Sequence, residues 1–194
     1  MIDVSNLKDA LKTLGFVAYG DIYEKAFSEI GCSLKVDFQA KRLSYPNEIK
    51  GRERNDGFDQ KENFVVFECV CRLLSKGYRP EHIELEKEWH LGHDAKGGRA
   101  DICVSDTNGN MLFIIECKTW GREYDKALNN TKSDGAQLFS YWQQEQSCKW
   151  LVLYASDLRS GCIAYKAPTI DCSDDANIIL LSKKDKSIKL YRDA

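Results

Sequence analysis

Residues 98–118 read GRADICVSDTNGNMLFIIECK, and this stretch decides the fold of the chain. Two apolar runs, residues 100–105 and 111–117, each have the length and composition of a β-strand. Between them stands Asn108-Gly109, a dipeptide that strongly favours a two-residue type I′ turn. The stretch therefore predicts an antiparallel β-hairpin.

The predicted turn also determines which side chains meet across the hairpin. Thr107 pairs with Asn110, and counting outward along both strands brings Asp101 opposite Glu116, with both side chains on one face. Lys118 follows Glu116 by two residues and shares that face. The sequence thus predicts two carboxylates and one lysine in a single group.

Two directly opposed carboxylates destabilise a sheet unless a positive charge lies between them. Mg²⁺ prefers carboxylate and water oxygens, and a bound divalent cation can hold a phosphate while it lowers the pKa of a water molecule for attack. Lys118 adds a cation that can stabilise the charge developing on that phosphate. Asp101, Glu116 and Lys118 are therefore candidates for Mg²⁺-dependent phosphodiester hydrolysis, with Mn²⁺ as a substitute metal.

The E-x-K tripeptide Glu116-Cys117-Lys118 has a second copy in the chain, Glu48-Ile49-Lys50. That copy lies in a polar stretch, whereas Glu116 ends a run of apolar strand residues. The context favours the first copy as a site. An ion pair on the surface of the hairpin is the alternative interpretation.

The rest of the main body predicts a mixed sheet with helices on its faces. Apolar residues at spacings of three and four predict a core helix over residues 60–76, which Gly77 ends. A second helix over residues 134–146, between two strands, makes a parallel crossover and an α/β fold. Further strands are expected at residues 83–89, 150–154, 162–165, 178–181 and 188–191.

The N-terminal part predicts a helical extension. Short amphipathic helices are expected after Ser5 and over residues 21–30, since each is followed by a glycine that can end it. Residues 41–55 are polar and basic, and predict a loop. The sequence therefore divides into an N-terminal extension with a basic loop, residues 1–58, and a main domain, residues 59–194.

Gln137 and Tyr141 stand four apart on the crossover helix and share one face. Taken by itself, this spacing is typical of an ordinary amphipathic helix. Together, Asp101, Glu116-Cys117-Lys118 and Gln137-Leu138-Phe139-Ser140-Tyr141 resemble the motifs of the PD-(D/E)XK nuclease superfamily, in particular its RecB-like branch. Ala100 replaces the proline that gives the motif its name.

The wider stretch of residues 62–157 is similar to the N-terminal nuclease domain of type I restriction enzyme R subunits and of fused restriction-modification proteins. The segments GRAD, IIECKTWG, GAQLFSYWQQ and WLVLYASD carry this likeness. The resemblance implies a restriction-endonuclease-like α/β fold. It also implies that Asp101 and Glu116 are metal ligands, together with the backbone carbonyl of Cys117, and that Lys118 is the catalytic cation.

The same resemblance implies further site residues. Gln137 and Tyr141 line the DNA-facing side of the site. Members of the family often have a further acid at the site, from the first core helix. Glu62 and Glu68 are the two candidates for it here. Glu62 is the favoured candidate, and either acid could instead be a solvated helix residue.

The composition limits these expectations. The formal net charge of -2 and the pI of about 6.0 are unlike the strongly basic balance of many nucleic-acid-binding domains. Basic residues that could contact DNA phosphates nevertheless occur over residues 41–55 and just before Asp101. The alternative interpretation is that they form a solvated, charged surface. These candidates are Lys41, Arg42, Lys50, Arg52, Arg54 and Arg99.

Eight cysteines, several of them inside apolar runs, predict buried free thiols and a reducing cytoplasm. We expect a cytoplasmic, Mg²⁺-dependent endonuclease domain of a restriction enzyme that cuts double-stranded DNA. Motor, methyltransferase and specificity functions are expected in domains or subunits outside this chain. The alternatives are a stand-alone repair or recombination nuclease and a catalytically silent DNA-binding module on the same fold.

Overall fold

The computed structural model describes residues 1–91, 95–134, 136–174 and 177. Within these residues the chain forms an N-terminal part and a larger main part, each built on its own β-sheet. The mixed α/β architecture confirms the predicted fold class and is consistent with a restriction-endonuclease-like fold.

The N-terminal part consists of one helix and a four-stranded antiparallel sheet. Its elements are α1 (Leu7–Thr13), β1 (Val17–Tyr19), β2 (Ile22–Phe27), β3 (Cys32–Asp37) and β4 (Arg42–Ser44). The strands follow one another in the order β1-β2-β3-β4. This part packs against the first helix of the main part through one shared hydrophobic core.

The main part is a mixed sheet with helices on both faces. Its elements are α2 (Lys61–Ser75), β5 (Ile83–Leu91), β6 (Ala95–Ser105), β7 (Met111–Cys117), α3 (Arg122–Asp134), α4 (Ala136–Gln144), β8 (Trp150–Arg159), β9 (Cys162–Lys166) and β10 (Thr169–Asp171). The sheet order is β10-β8-β7-β6-β5, and β9 pairs with β8.

The predicted helix over residues 21–30 is wrong, because these residues form β2 and the turn after it. Tyr23 and Phe27 are the buried side chains of β2, and their spacing of four suits one face of a strand as well as one face of a helix. Continuous pairing with β3 decides between the two. The N-terminal extension is therefore helical at α1 but mainly a β-sheet.

The stretch predicted as a basic loop, residues 41–55, is more ordered than expected. It contains β4, the fully buried Ile49 and a 3₁₀ turn over Arg52–Arg54. The division of the chain at residue 58 stays a prediction. Buried side chains from both sides of that point belong to the same core.

The β6–β7 hairpin has the predicted strands but not the predicted turn. The N–H of Gly109 donates to the carbonyl of Asp106, and the N–H of Asp106 donates to the carbonyl of Asn110, which closes a three-residue loop. Gly109 has a φ of 83°, but Asn108 is not among the residues with positive φ, as a type I′ turn requires. The side chain of Asp106 accepts the N–H groups of Asn108 and Asn110 and holds the loop.

A second irregularity restores the predicted register. The longer loop puts Ser105 one residue out of the expected pairing, and a bulge beside it shifts the pairing back. Ile102 therefore pairs with Ile115, as predicted. One step further along the ladder, Asp101 lies beside Glu116.

The parallel crossover is confirmed, since β7 and β8 are parallel neighbours. The predicted helix over residues 134–146 corresponds to α4, whereas α3 is absent from the sequence-based prediction. In α3 the apolar residues are Tyr124, Ala127 and Leu128, too few to give a clear helical pattern.

The strands predicted at residues 83–89, 150–154 and 162–165 are confirmed as β5, β8 and β9. The strands predicted at residues 178–181 and 188–191 lie outside the described residues.

The two faces of the main sheet carry separate cores. Helix α2 and the N-terminal part cover one face, while α3 and α4 cover the other. No helix in the described part of the chain is long and apolar enough to cross a membrane. All eight cysteines are free, as predicted, and five of them are buried. Cys32 and Cys172 are partly buried, and Cys162 is exposed because it begins β9 directly after a turn.

Candidate active site

Asp101 and Glu116 lie beside each other on β6 and β7. Asp101 Oδ2 accepts the backbone N–H of Cys117 at 2.6 Å, and the Glu116 side chain is almost completely buried. Burial raises the pKa of both carboxyl groups, and the charge of Glu116 raises the pKa of Asp101 further. The pair therefore carries a repulsion that a nearby cation relieves.

Lys118 supplies positive charge to this group. Its Nζ lies 2.6 Å from Glu116 Oε1 and 3.4 Å from Glu62 Oε1. Burial lowers the pKa of Lys118, but the charges of Glu116, Asp101 and Glu62 raise it more, so this pKa lies above its ordinary value. The backbone N–H of Lys118 donates to the carbonyl of Tyr154 at 2.8 Å, which fixes the lysine at the end of β7. Lys118 is therefore a positioned and permanently charged group.

The two helix acids have different positions. Glu62, in the first turn of α2, faces Lys118 and lines the cavity at the site. Glu68 lies away from it, where it accepts the Tyr154 hydroxyl at 2.5 Å and pairs with Arg72 at 2.6 Å. The geometry brings Glu62, and not Glu68, to the site residues, as favoured from the sequence.

The Q-x-x-x-Y residues of α4 reach Glu116 through Tyr141. The fully buried Tyr141 places its hydroxyl 3.0 Å from Glu116 Oε2 and 2.5 Å from the carbonyl oxygen of Arg99. The side-chain amide of Gln137, at the cavity edge, donates to the same hydroxyl. Tyr141 thus helps to position the Glu116 carboxylate. The face of α4 that carries Gln137 and Tyr141 therefore contacts the site as well as the hydrophobic core.

Removing the Tyr141 hydroxyl tests this support. Tyr141→Phe deletes a donor whose hydrogen bond lowers the pKa of the Glu116 carboxyl, so that pKa should rise. A larger fraction of Glu116 is then protonated at a given pH. As the pH is lowered, Mg²⁺ binding should therefore be lost at a higher pH than in wild type. A hydrogen bond to a charged group is worth about 1.5–3 kcal/mol. Calorimetric Mg²⁺ titrations across a pH series measure the shift, and an unchanged profile contradicts it.

Gly98 lets the backbone of β6 approach Tyr141. A Cβ atom at position 98 would lie 2.5 Å from Tyr141 Cε1 and 2.8 Å from Cδ1, closer than atoms can pack. Gly98→Ala should therefore displace the Tyr141 ring, cost about 1–3 kcal/mol of unfolding free energy, and reduce cleavage together with stability. Chemical denaturation measures the first effect. Wild-type stability in this variant would mean that the ring moves freely.

Two adjoining cavities open at the site. The first, of about 490 Å³, is lined by Glu62, Glu116 and Lys118 together with residues of α3 and α4. The second, of about 520 Å³, lies next to it, since Glu62 and Glu123 line both. The space beside the carboxylates is therefore large enough for a substrate group and water molecules.

The carboxylates fit a hard divalent cation by their chemistry. Mg²⁺ is usually held by one or two carboxylates, with water and substrate oxygens completing its shell. Asp101 and Glu116 supply such a pair, and a divalent cation would relieve their repulsion. Among the described residues, no group of three or more His, Cys, Asp or Glu side chains has the arrangement of a metal site. The roles of Glu62 and of the Cys117 carbonyl as ligands stay predictions.

The predicted phosphate-contacting arginines are engaged within the protein. Arg42 pairs with Asp56, Arg54 with Glu88, and Arg99 with Glu86, while Arg52 donates to the carbonyls of Asn47 and Ile49. Lys41 and Lys50 are exposed. Contact of these residues with DNA stays a prediction, and the ion pairs favour the alternative of a solvated, internally balanced surface.

The fold and the site together define an α/β protein with an acid–lysine site: an acid pair on two adjacent strands, a lysine directly after the second strand, and a supporting tyrosine from α4. Residues 62–170 match the family model described as Type I restriction enzyme R protein N terminus. The match spans more than half of the chain and includes the candidate site, and the chain belongs to this family. No curated protein matches the chain. The restriction-enzyme resemblance is confirmed, while the PD-(D/E)XK assignment stays a prediction.

Proposed function

We propose that this chain is a metal-dependent DNA endonuclease domain of a restriction enzyme. The observation that carries the proposal is the position of Glu116, which contacts Lys118 and Tyr141, lies beside Asp101 of the neighbouring strand, and lines an open cavity. Membership of the type I restriction enzyme R protein family supports a restriction role.

Asp101 and Glu116 are the residues that would hold Mg²⁺, with Mn²⁺ as a substitute. The bound metal would supply Lewis-acid activation of a phosphodiester and of an attacking water molecule. Lys118, kept charged by the acids around it, stabilises negative charge that grows on the phosphate. Glu62 also contacts the ammonium group of Lys118, and Tyr141 contacts the second oxygen of Glu116.

The substrate in this proposal is double-stranded DNA. The net charge of -2 provides little general attraction for a polyanion, so much of the affinity is expected from other domains or subunits. Motor, methyltransferase and specificity functions belong to those partners.

Incubation with supercoiled plasmid tests the proposal. We expect nicked and linear products with Mg²⁺ or Mn²⁺ and none with EDTA, because hydrolysis requires the metal. Calorimetry on the same preparation reports whether the metal binds. A folded, metal-binding protein that leaves the plasmid intact supports the alternative of a silent DNA-binding module.

A further inference from the structure

One face of α3 runs along both cavities at the site. Arg122, Lys126 and Asn130 recur at a spacing of four, so they form one stripe on the helix. Lys126 and Asn130 line the first cavity, and Arg122 lines the second. At 1.5 Å of rise per residue the stripe is about 12 Å long. It therefore borders the whole opening from one cavity to the next.

The two cations of this stripe are available to a ligand. Within the described residues, neither Arg122 nor Lys126 forms an ion pair, and both are exposed. The arginines predicted from the sequence as phosphate contacts differ in this respect, since Arg42, Arg54 and Arg99 are each held by an acid. Helix α3 thus presents two unpaired cations to an anion that enters the cavities.

The first cavity itself is acidic. Glu62, Glu116 and Glu123 line it, against the buried charge of Lys118. A polyanion that enters this space is repelled unless cations stand close to its path. The position of Lys126 in the same lining offsets part of this repulsion.

Further positive charge lies beside the second cavity. Trp120 lines that cavity, and its ring lies 4.5 Å from Arg159 Cζ and 4.4 Å from Lys166 Nζ. Arg159 is paired with Asp157, but Lys166 forms no ion pair among the described residues, so Lys166 supplies positive charge beside this ring. An anionic chain that follows α3 from Lys126 past Arg122 therefore arrives at a second cationic group.

We propose that α3 is the phosphate-binding wall of this site. Arg122 and Lys126 contact phosphates of the DNA backbone on either side of the bond presented to Lys118, and the backbone runs on towards Trp120. One strand of duplex DNA carries a charge about every 3.4 Å along its axis, so the stripe spans roughly three phosphates. This inference rests on the proposed function, since it takes DNA as the ligand.

The test is the salt dependence of binding to a fluorescein-labelled duplex oligonucleotide, measured by anisotropy with Ca²⁺ in place of Mg²⁺. Each phosphate contact removed from duplex DNA lowers the slope of log Kobs against log salt by about 0.9. Arg122→Gln and Lys126→Gln should each produce this loss, and the double variant about twice as much. Lys132→Gln is the matched control, because Lys132 is exposed on the same helix but lines neither cavity.

The outcomes separate this inference from the proposed function. Wild-type slopes in the double variant, or equal losses in Lys132→Gln, overturn the phosphate-binding wall even if the wild type cuts plasmid. A wild type that shows no salt-dependent binding also overturns it. A reduced slope in a protein that never cuts DNA supports the wall and rejects the endonuclease. Arg122→Glu with Lys126→Glu should enlarge the effect, and thermal unfolding checks that each variant is folded.

Discussion

Replacing Lys118 with alanine should lower DNA cleavage by about two to three orders of magnitude, the usual loss when one positioned stabiliser of transition-state charge is removed. Mg²⁺ should bind at least as tightly as in wild type. The reason is that Lys118 Nζ contacts Glu116 and Glu62, so its removal leaves the carboxylates without their neutralising cation. A divalent ion then relieves a larger repulsion.

Plasmid nicking and calorimetric metal titration on the same preparation measure both halves of this prediction. Lys50→Ala is a matched control, because Lys50 ends the second E-x-K tripeptide but lies exposed, away from the acid pair. It should leave metal binding unchanged and lower cleavage far less than Lys118→Ala. Near wild-type cleavage by Lys118→Ala would falsify the assignment of this lysine as the catalytic cation.

Replacing Asp101 with asparagine should abolish Mg²⁺-dependent activity and stabilise the metal-free protein. Asparagine keeps an oxygen for the N–H of Cys117 but removes one of the two repelling charges. Relief of a like-charge pair across strands is expected to add about 1 kcal/mol of unfolding free energy. For a chain of this size that raises the melting temperature by roughly 2–4 °C.

The pH dependence has a defined sign. The pKa of Asp101 is raised in the folded protein, so between its unfolded and folded values the native state binds more protons than the unfolded state. The stability of wild type should therefore fall as pH rises through that window, and Asp101→Asn should lose this contribution. Melting curves across pH, with and without Mg²⁺, measure both effects.

Asp125→Asn serves as the control for Asp101→Asn, since Asp125 is an exposed acid on α3 that lines neither cavity. It should retain the metal-dependent stabilisation and the pH profile of wild type. If Asp101→Asn is also stabilised by Mg²⁺ to the wild-type extent, Asp101 is not a metal ligand.

Sequence-based prediction succeeded where the residues that determine an element lie close together in the chain. The strands of the hairpin, the core helix α2 and the parallel crossover all follow from apolar periods within a short segment. The register of Asp101 with Glu116 was also predicted, although the turn was not. A three-residue loop and a bulge shift the pairing in opposite directions, so their effects cancel.

Features that depend on contacts between residues far apart in the chain could be determined only from the tertiary structure. Tyr23 and Phe27 fit a helix or a strand equally well, and the partner strand β3 decides between them. Glu62 and Glu68 are both acids of α2, but the packing of that helix turns Glu62 towards Lys118 and Glu68 towards Tyr154. Local periodicity carries no information about which distant group an acid faces.

The sequence by itself therefore predicted the chemical groups of the candidate site: two acids and a lysine on one face of a hairpin, with a tyrosine on the crossover helix α4. The tertiary structure alone decided which charges are free to meet a ligand. Arg42 and Arg54 of the basic stretch are paired with acids outside that stretch, while Arg122 and Lys126 form no ion pair with the described residues. Charge is a property of each residue, but its availability depends on partners that the fold brings from distant positions.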